Sequence, residues 1–494
     1  MNSRNAVTIG LSKRTCKPPE SGNATLLNLM TSIQSKPTSA ASTPMMGEFE
    51  RRANRTSAPE PSWVLPLRRA GINRFSEIGY PTIRDEDWRF TNVAPIAKLP
   101  FQTAASPGPK SVTVEQIRTA PFGTLPGPRL VFVNGYFAPA LSRTSDPTGK
   151  STIGNLAGHL EGNASVIQPL LTPSQDMLDD PFACLNTAFF QDGAFIHVPA
   201  GVEMTDPIHL VYIATNEATG VSIHTRNLII AEAGSRFTVI ENCISFGAHA
   251  YVANSFTNFV VREDASLEHV KFQDESPEAF HLANLHSDLG RASRYTSHSF
   301  AIGGLISRNT IRSKLNGVGL ECIFNGLYVT RRNQVADHHM VINHNEPNCA
   351  SHEYFNGILD DESKGVFHGR ILVQPEAQKT DAKQTNKNIL LSNSATVDTK
   401  PQLEIYADDV KCTHGATVGQ LNEESIFYLR SRGIGKETAR RMLIHSFAGE
   451  ITERVQYTPV REEIDRIVWN RLEESPSLSE KLATASNGTP TPEA

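Results

Sequence analysis

The chain has 494 residues, of which 20% are charged, and a formal net charge of -5. This length is sufficient for two or three domains with sizeable cores. The sequence has no basic block of the kind that binds nucleic acid, and its longest apolar runs are too short to span a membrane. The six cysteines are scattered without a Cys-x-x-Cys pair. This spacing excludes a preformed zinc knuckle or ferredoxin-type site and argues against a disulfide framework, so a reducing compartment is expected.

The first part of the chain, residues 1–61, is rich in Ser, Thr, Asn, Pro and Arg and has weak apolar periodicity. This composition predicts a disordered tail, and its apolar pieces are too short for a secretory signal. Basic residues without an acidic one before Glu20 suit a transit peptide, while Met45 and Met46 suit a late start of translation. We predict a tail that is disordered or lies upstream of the true start of translation. We also predict a cytoplasmic protein, with organellar targeting as the alternative.

Residues 62–190 have a mixed pattern of short helices and short strands. Segments 64–71 and 74–79 are predicted to form two short helices, because each ends in a glycine. Farther along, segment 181–190 begins with proline and has apolar residues at helical spacing, which predicts a helix with Cys184 as a core thiol. We therefore expect an N-terminal α/β region.

An acidic cluster followed by aromatic residues lies at residues 85–90. Such a cluster is compatible with a ligand site. Its composition favours a structural role, in which Trp88 and Phe90 anchor a small core and Arg89 pairs with a neighbouring carboxylate.

The hydrophobic period changes to two near residue 191 and stays so to about residue 419. This span is too long for one ordinary β-sandwich. Small-residue turns that lead into strands recur at a spacing of roughly 26 to 31 residues, the length of one coil of several strands. These turns lie at 233–237, 264–268, 291–295 and 318–322. The sequence therefore predicts a mainly β fold whose core, over residues 191–419, is a right-handed parallel β-helix, a solenoid with ends that need a cap or a partner.

Beyond this span the period becomes helical again, and residues 420–475 are predicted to form a compact helical module. Segment 423–433 is a short helix with a glycine stop, and segment 436–457 is a longer amphipathic helix. Such a module caps the solenoid, provides a docking surface, or does both. Residues 476–494 are polar and are predicted to be disordered.

The stretch 403–419 carries the strongest candidate for chemistry. It alternates like a strand, so the side chains of Cys412 and His414 are expected on one face and those of Lys411 and Thr413 on the other. A thiol beside an imidazole suits soft or borderline metals, and a nearby cation would lower the pKa of the thiol. The alternative is a half-buried cysteine beside a histidine that only packs.

Two other candidates are weaker. The densest run of potential ligands, residues 337–344 with Cys349 and His352, converges only if the intervening loop folds back. We predict instead that these residues pack and hydrogen-bond inside the coils. Segment 433–438 lacks the spacing of a phosphate-binding loop, and the sequence has no nucleophile elbow and no Ser-His-Asp pattern. No catalytic residue is predicted.

Five segments resemble one known family in sequence and in order. They are DEDWRF at 85–90, KTDAKQTNKN at 379–388, KPQLEI at 400–405, DDVKCTHGAT at 408–417 and FYLRSRG at 427–433. These motifs resemble the SufB/SufD family of the SUF iron–sulfur cluster assembly system, and the likeness covers roughly residues 63–472. The Cys-x-His-Gly-Ala-Thr form is similar to SufD. SufB carries a His-Glu-Ala-Thr version and an additional cysteine in an Arg-Cys-Gly-Ala context, which this chain lacks.

The resemblance implies a β-helix core, a C-terminal helical module and the role of a non-catalytic scaffold subunit in a SufBCD-type complex. It implies a SufB-like paralogue and a SufC-like ABC ATPase as partners, with neither nucleic acid nor a membrane. Cys412 and His414 match the family's interface positions, where a transient iron–sulfur cluster is shared with SufB and no cofactor is bound permanently. The residues that match the ATPase-docking region are Phe427, Tyr428, Arg432, Arg440, Met442 and Phe447.

Two alternatives stay open. β-Helices often carry carbohydrate-active enzymes, lyases or hydrolases, which need an acid/base cleft. The paired carboxylates at 360–361 and 408–409 are adjacent in sequence, and neighbours on a strand face apart, so neither pair forms such a couple. The second alternative is a purely structural SufD-like partner in which Cys412 and His414 only pack.

Overall fold

The computed structural model describes residues 43–55, 60–99, 102–108, 111–146 and 148–473. The predictions for residues 1–42, including the choice between a disordered tail, a transit peptide and a late start of translation, lie outside the described residues. The predicted tail at 476–494 lies outside them as well.

An N-terminal region of short helices and strands precedes the solenoid. Its helices are α1 (Thr43–Arg55), α2 (Val64–Ile78), α3 (Ala94–Ala97), α4 (Val114–Thr119), α5 (Leu156–His159), α6 (Ala164–Leu171), α7 (Gln175–Leu178) and α8 (Pro181–Phe189), with 3-10 turns at Glu86–Trp88 and Pro139–Leu141. Its strands are β1 (Arg129–Val133), β2 (Tyr136–Phe137) and β3 (Thr152–Asn155). Helix α8 lies between α2 and the solenoid, and all of its residues are buried.

Helix α1 corrects the predicted disordered tail, which extended to residue 61. Met45 and Phe49, one helical turn apart, are buried, and the ring of Phe49 packs edge-on at 6.2 Å from that of Phe189. Arg52 donates hydrogen bonds to the carbonyl oxygens of Phe189 and Phe190 at 2.6 and 3.0 Å, where α8 ends. Because so few side chains form this contact, the apolar pattern of the segment was too weak to reveal it.

The two helices predicted on either side of Gly71 are one helix, α2. A Cβ atom at Gly71 would lie 2.7 Å from the carbonyl oxygen of Cys184, so this glycine allows α2 and α8 to approach closely and does not end a helix. Cys184 is a core thiol, as predicted, and donates to the carbonyl oxygen of Leu178 at 3.3 Å.

The aromatic anchor predicted at Trp88 is confirmed. Phe90, predicted as a second anchor, is only partly buried and belongs to none of the apolar clusters of the described residues, and the predicted ion pair of Arg89 is wrong. Trp88 is buried, and the guanidinium of Arg308 lies 3.8 Å over its ring. Arg89 is exposed, and its guanidinium lies 5.9 Å from the ring centre of Phe90, with no carboxylate partner among the described residues.

From β4 onward the chain forms a β-solenoid of about eight turns, as predicted. Its strands are β4 (Ala194–Val198), β5 (Ile208–Ala214), β6 (Ser222–Ala231), β7 (Arg236–Ser245), β8 (Val252–Val261), β9 (Ser266–Asp274), β10 (Phe280–Leu289), β11 (Arg294–Ala301), β12 (Ile306–Leu315), β13 (Glu321–Thr330), β14 (Val335–His344), β15 (Ala350–Leu359), β16 (Lys364–Val373), β17 (Asp381–Leu390), β18 (Thr396–Ile405) and β19 (Lys411–Gly419), with a 3-10 turn at Asn216–Ala218. The even-numbered strands from β4 to β18 form one parallel sheet, called here the even sheet, and the odd-numbered strands from β5 to β19 form the odd sheet.

The coil length follows from the strand register. Phe280 pairs with Ile306 and Lys364 pairs with Thr396, so the coils from β6 onward are 26 to 32 residues long. One corner of each coil has a residue with positive φ, and its N–H donates to a carbonyl oxygen of the next coil. These corner residues are Gly234, Asp264, Ala292, Gly319, Asn348 and Lys379. The recurrence in the sequence therefore reflects a repeated left-handed turn.

Both sheets contribute to an interior core, and helices pack on part of the outer face of each sheet. The N-terminal region packs on the even sheet, where Trp88 and Phe182 join Phe280 and Ile306 in one cluster. The C-terminal helices α9 (Glu423–Ser431), α10 (Lys436–Thr452) and α11 (Thr458–Glu473) follow the last strand. Apolar side chains of α10 and α11 pack on the odd sheet. Within the described part of the chain, none of the helices has the length and apolar character needed to cross a membrane.

Candidate functional site

The solenoid ends in two strands that have a neighbour on one side only. β18 pairs with β16, and β19 pairs with β17. Every residue of these two strands is at least partly exposed, whereas all ten residues of β6 are buried. Strand edges of this kind present backbone N–H and C=O groups that can pair with another chain.

Cys412 and His414 lie on the face of β19 that continues the solenoid interior. Their register partners on β17 are Ala382 and Gln384, which are both buried. Cys412 is half-buried and packs against the interior core, whereas His414 is exposed. The two side chains are therefore neither sealed inside the solenoid nor on opposite faces of the strand.

Burial raises the pKa of the Cys412 thiol. The carboxylate of Asp381 acts in the same direction, while a backbone hydrogen bond at Ala382 opposes both. Among the described residues, no cationic side chain lowers the pKa of this thiol. Because the thiolate is the form that binds metals, its formation here depends on the metal itself or on a group from another chain.

A column of buried polar side chains leads from His414 into the solenoid. Gln384 lies one coil below His414, and Glu353 lies one coil below Gln384. The amide nitrogen Nε2 of Gln384 donates to Oε2 of Glu353 at 2.6 Å. Burial raises the pKa of Glu353 to about 7.

Sequence reasoning missed this column. The available signal was the alternation of amide side chains at Gln384, Asn386 and Asn388, which places three polar groups on one face of a strand.

The densest predicted run of ligands does not converge. His338 and His344 each hydrogen-bond a buried serine, at 3.2 and 2.8 Å. The thiol of Cys349 donates to a backbone carbonyl oxygen at 3.1 Å, and His352 lies 3.4 Å from a carboxylate at the surface. The predicted packing and hydrogen bonding inside the coils is confirmed for His338, His344 and Cys349. His352 lies at the surface, and His339 lies on the outer face of the even sheet.

The residues that resemble an ATPase-docking region divide into an exposed set and a packed set. Phe427 and Tyr428 on α9 are 72% and 56% exposed, and Met442 on α10 is 40% exposed. Nη2 of Arg432 donates to the hydroxyl of Tyr428 at 2.8 Å, which holds both side chains at the surface.

The packed set consists of Arg440 and Phe447. Nε of Arg440 lies 3.9 Å from Oε2 of Glu437 on the same helix. Phe447 is partly buried against the odd sheet, and its carbonyl oxygen accepts a hydrogen bond from Asn356 at 3.0 Å. Phe447 therefore contributes to the junction between α10 and the solenoid, whereas the ion pair of Arg440 stays within α10.

Fold and site together define a class of protein: a parallel β-solenoid that presents sulfur and nitrogen donors at an uncovered terminal coil. Two family descriptions match the chain. "SUF system FeS cluster assembly, SufBD core domain" matches residues 212–447, and "SufBD protein N-terminal region" matches residues 44–210. The chain belongs to the SufBD family of the SUF iron–sulfur cluster assembly system.

Individual relatives agree with this assignment. The chain is 34% identical to the iron-sulfur cluster assembly protein SufD of Escherichia coli over 413 residues, which cover 82% of this chain and 93% of the relative. It is 32% identical to an iron-sulfur cluster assembly SufBD family protein of Synechocystis, over 81% of this chain and 89% of the relative. Protein ABCI7, chloroplastic, of Arabidopsis thaliana is 26% identical over 88% of this chain and 92% of its own length.

Proposed function

We propose that the chain is a non-catalytic, SufD-like scaffold subunit of a SufBCD-type complex that assembles iron–sulfur clusters. Its last coil pairs with a SufB-like paralogue, and its C-terminal helices receive a SufC-like ABC ATPase. The observation that carries the proposal is the uncovered end of the solenoid, where Cys412 and His414 share one face. Within the described ranges, no three-ligand group of His, Cys, Asp or Glu includes this pair.

The incomplete donor set favours a shared and transient cluster. Iron–sulfur clusters are commonly held by four protein ligands, mostly thiolates. Cys412 and His414 provide two, so a partner must supply the others. The raised pKa of Cys412 in the isolated chain suits a thiol that becomes a thiolate only in the assembled interface. The cluster is then cargo of the complex and not a resident cofactor of this chain.

The end coil offers both backbone and apolar groups for a β-rich partner. β18 and β19 each have one unpaired edge. Ile405, Tyr406 and Val418 are large apolar side chains exposed on or next to these strands. Pairing of strand edges supplies backbone hydrogen bonds, and the apolar side chains supply buried area.

The exposed C-terminal residues suit a protein partner. Tyr and Arg are enriched among the residues that dominate binding energy at interfaces, and Phe and Met are enriched at interfaces generally. Phe427, Tyr428, Arg432 and Met442 are exposed together in this helical module. ATP hydrolysis would take place in the partner, because this chain lacks the spacing of a phosphate-binding loop.

Reconstitution of cluster assembly tests the role of the donors. Cys412→Ala and His414→Ala should each strongly reduce cluster formation by the complex and leave the fold of the chain intact. Thr413→Ala is the matched control, because Thr413 lies on the opposite, outward face of the same strand. If both donor variants form clusters at the wild-type rate, Cys412 and His414 only pack, and the chain is a purely structural partner.

Co-purification tests the partners. The full chain, isolated from cells, should bring an ABC-type ATPase and a paralogous β-solenoid subunit. Phe427→Ala combined with Tyr428→Ala should lose the ATPase and keep the paralogue. Val114→Ala is the control, since Val114 is similarly exposed but lies on α4. Retention of the ATPase by the double variant would exclude this docking surface.

Subcellular fractionation tests the location. We propose a cytoplasmic protein, and an organellar fraction would instead favour targeting by the first residues of the chain.

A further inference from the structure

A second group of potential metal ligands lies on the outer face of the even sheet. Asp87, His339 and His368 each offer one ligand atom, and these atoms lie within 4.8 Å of one another. His339 on β14 and His368 on β16 are register partners in adjacent coils, with ring centres 4.5 Å apart. Asp87 reaches them from the 3-10 turn Glu86–Trp88 of the N-terminal region. The fold therefore joins three distant segments at one point.

The distances suit a shared ion better than direct hydrogen bonds. Nε2 of His339 lies 3.7 Å from Oδ1 of Asp87, which is too long for a hydrogen bond. Two ligand atoms bound at about 2.0–2.1 Å to a tetrahedral zinc ion lie roughly 3.4 Å apart. The other ring nitrogen of His339, Nδ1, is buried and has no hydrogen-bond partner among the described residues.

His368 is already oriented as a ligand. Its Nε2 lies 2.6 Å from Oε1 of Gln402, an amide oxygen that can only accept, so this nitrogen donates and Nδ1 has a free lone pair. A hydrogen bond from the second ring nitrogen to an oxygen is the usual support of a metal-binding histidine. Burial lowers the pKa of both His339 and His368, so both rings are neutral at neutral pH, as metal binding requires.

Access and local charge are compatible with a cation. The side chain of Asp87 is 48% exposed, whereas both histidines are buried, so an ion can enter from solvent at the carboxylate. Four cationic side chains lie near the histidines, and three of them have carboxylate partners. Arg308 pairs with Asp337, Arg370 lies 3.7 Å from Glu404, and Lys400 pairs with Glu86 at 2.7 Å. The fourth is Arg312.

We propose that Asp87, His339 and His368 bind one divalent transition-metal ion with the preferences of Zn²⁺, at a site separate from Cys412 and His414. Two imidazoles and one carboxylate form a borderline donor set that suits zinc-like ions, and water completes the coordination. Because Asp87 belongs to the N-terminal region and the histidines belong to the solenoid, the ion fastens the two together.

Titration of the metal-free full chain with Co²⁺ tests the site. The wild type should take up one equivalent with d–d absorption but without a thiolate-to-cobalt charge-transfer band, which separates this site from any site that includes Cys412. Zn²⁺ should displace the Co²⁺ and raise the midpoint of thermal unfolding. Asp87→Asn and His368→Ala should each weaken Co²⁺ binding by about tenfold or more.

Asp85→Asn is the matched control, because Asp85 lies two residues from Asp87, carries the same charge and accepts hydrogen bonds from Thr82 outside the ligand group. This variant should bind Co²⁺ as the wild type does. Asp87→Asn changes a half-exposed side chain, so it keeps the test valid if His368→Ala does not fold. The proposal fails if the wild type lacks a sulfur-free Co²⁺ site or if Asp87→Asn binds Co²⁺ with undiminished affinity.

Discussion

The two ends of the solenoid are built from the same strands and turns, but the chain closes only one of them. At the first end, β2 runs antiparallel to β1 and β3 runs antiparallel to β4, so short antiparallel strands end both sheets. At the last end, β18 and β19 have no further neighbouring strand among the described residues. These are strands of ten and nine residues, and proteins usually shorten or cover such edges.

This contrast predicts that the stability of the protein and its proposed binding of a partner depend on different parts of the same solenoid. The closed end and the middle coils bury their side chains within the chain itself, whereas the open end leaves the imidazole of His414, part of the Cys412 thiol and two strand edges uncovered. A substitution in the middle of the solenoid should therefore lower the free energy of unfolding strongly, and a substitution on β19 should change it little. Assembly with the proposed partner should instead be weakened by substitutions on β19 more than by substitutions in the middle coils.

The largest difference in the free energy of unfolding is expected between substitutions at two apolar positions, one in the middle of the solenoid and one on β19. Phe355 on β15 is fully buried in the interior core, and Phe355→Ala should lower the free energy of unfolding by about 3–5 kcal/mol, through lost burial and the cavity left behind. Val418→Ala on the exposed β19 should change it by less than about 0.5 kcal/mol. Urea titration of both variants measures the contrast, and equal losses would contradict it.

The recurrence of coil corners explains why the fold could be predicted from the sequence. Each coil repeats one backbone requirement, the left-handed corner residue, even though the strands between the corners share few letters. Local patterns failed where a residue serves a distant contact. Gly71 looks like a helix stop and instead permits the approach of α8, and Met45 and Phe49 are too few to mark α1 as ordered.

For the candidate sites as well, local sequence patterns do not reveal contacts between distant segments. Alternation along one strand places Cys412 and His414 on one face, but only the strand order shows that this face continues the interior at an uncovered end. His339 and His368 are 29 residues apart, which is one coil length. The period of the solenoid therefore indicates that these two residues lie side by side in adjacent coils. Their approach to Asp87 depends on how the N-terminal region packs on the even sheet, which no periodicity encodes.

The second largest effect is the change of stability with pH that is expected from Glu353, a buried carboxyl group between the two ends of the solenoid. The pKa of Glu353 is raised by burial from 4.5 to about 7, so the folded chain holds this proton more tightly than the unfolded chain. The resulting stability is fully present below about pH 4.5 and is lost as the pH rises through about 7. The free energy of unfolding should fall by about 2–3 kcal/mol from this group between pH 5 and pH 8.

Glu353→Gln isolates this contribution. The amide keeps an oxygen that can accept from Gln384 and removes the titration. The difference in free energy of unfolding between wild type and variant should therefore depend on pH in this window, with the wild type losing relative stability as the pH rises. A difference that is constant from pH 5 to pH 8 would show that Glu353 titrates at its ordinary pKa.

The smallest effect compares two helix caps, one beside the covered part of the solenoid and one just after its open end. Oδ1 of Asp180 accepts from the N–H groups of Phe182 and Ala183 at the start of α8, both at 2.8 Å, and Asp180 is buried. Asn422, which is exposed, caps α9 by accepting from two backbone N–H groups at 2.8 and 3.1 Å.

Asp180→Ala should cost about 2 kcal/mol, because the uncapped N–H groups of a buried helix end cannot reach water, whereas Asn422→Ala should cost about 0.5–1 kcal/mol. Chemical denaturation gives both values. If the proposed docking surface is correct, Asn422→Ala should also weaken binding of the ATPase while the paralogue stays bound, because α9 carries Phe427 and Tyr428. A larger loss of stability at Asn422 than at Asp180 would mean that the helices after β19 belong to the stable body of the protein, and the contrast between its two ends would then not extend to them.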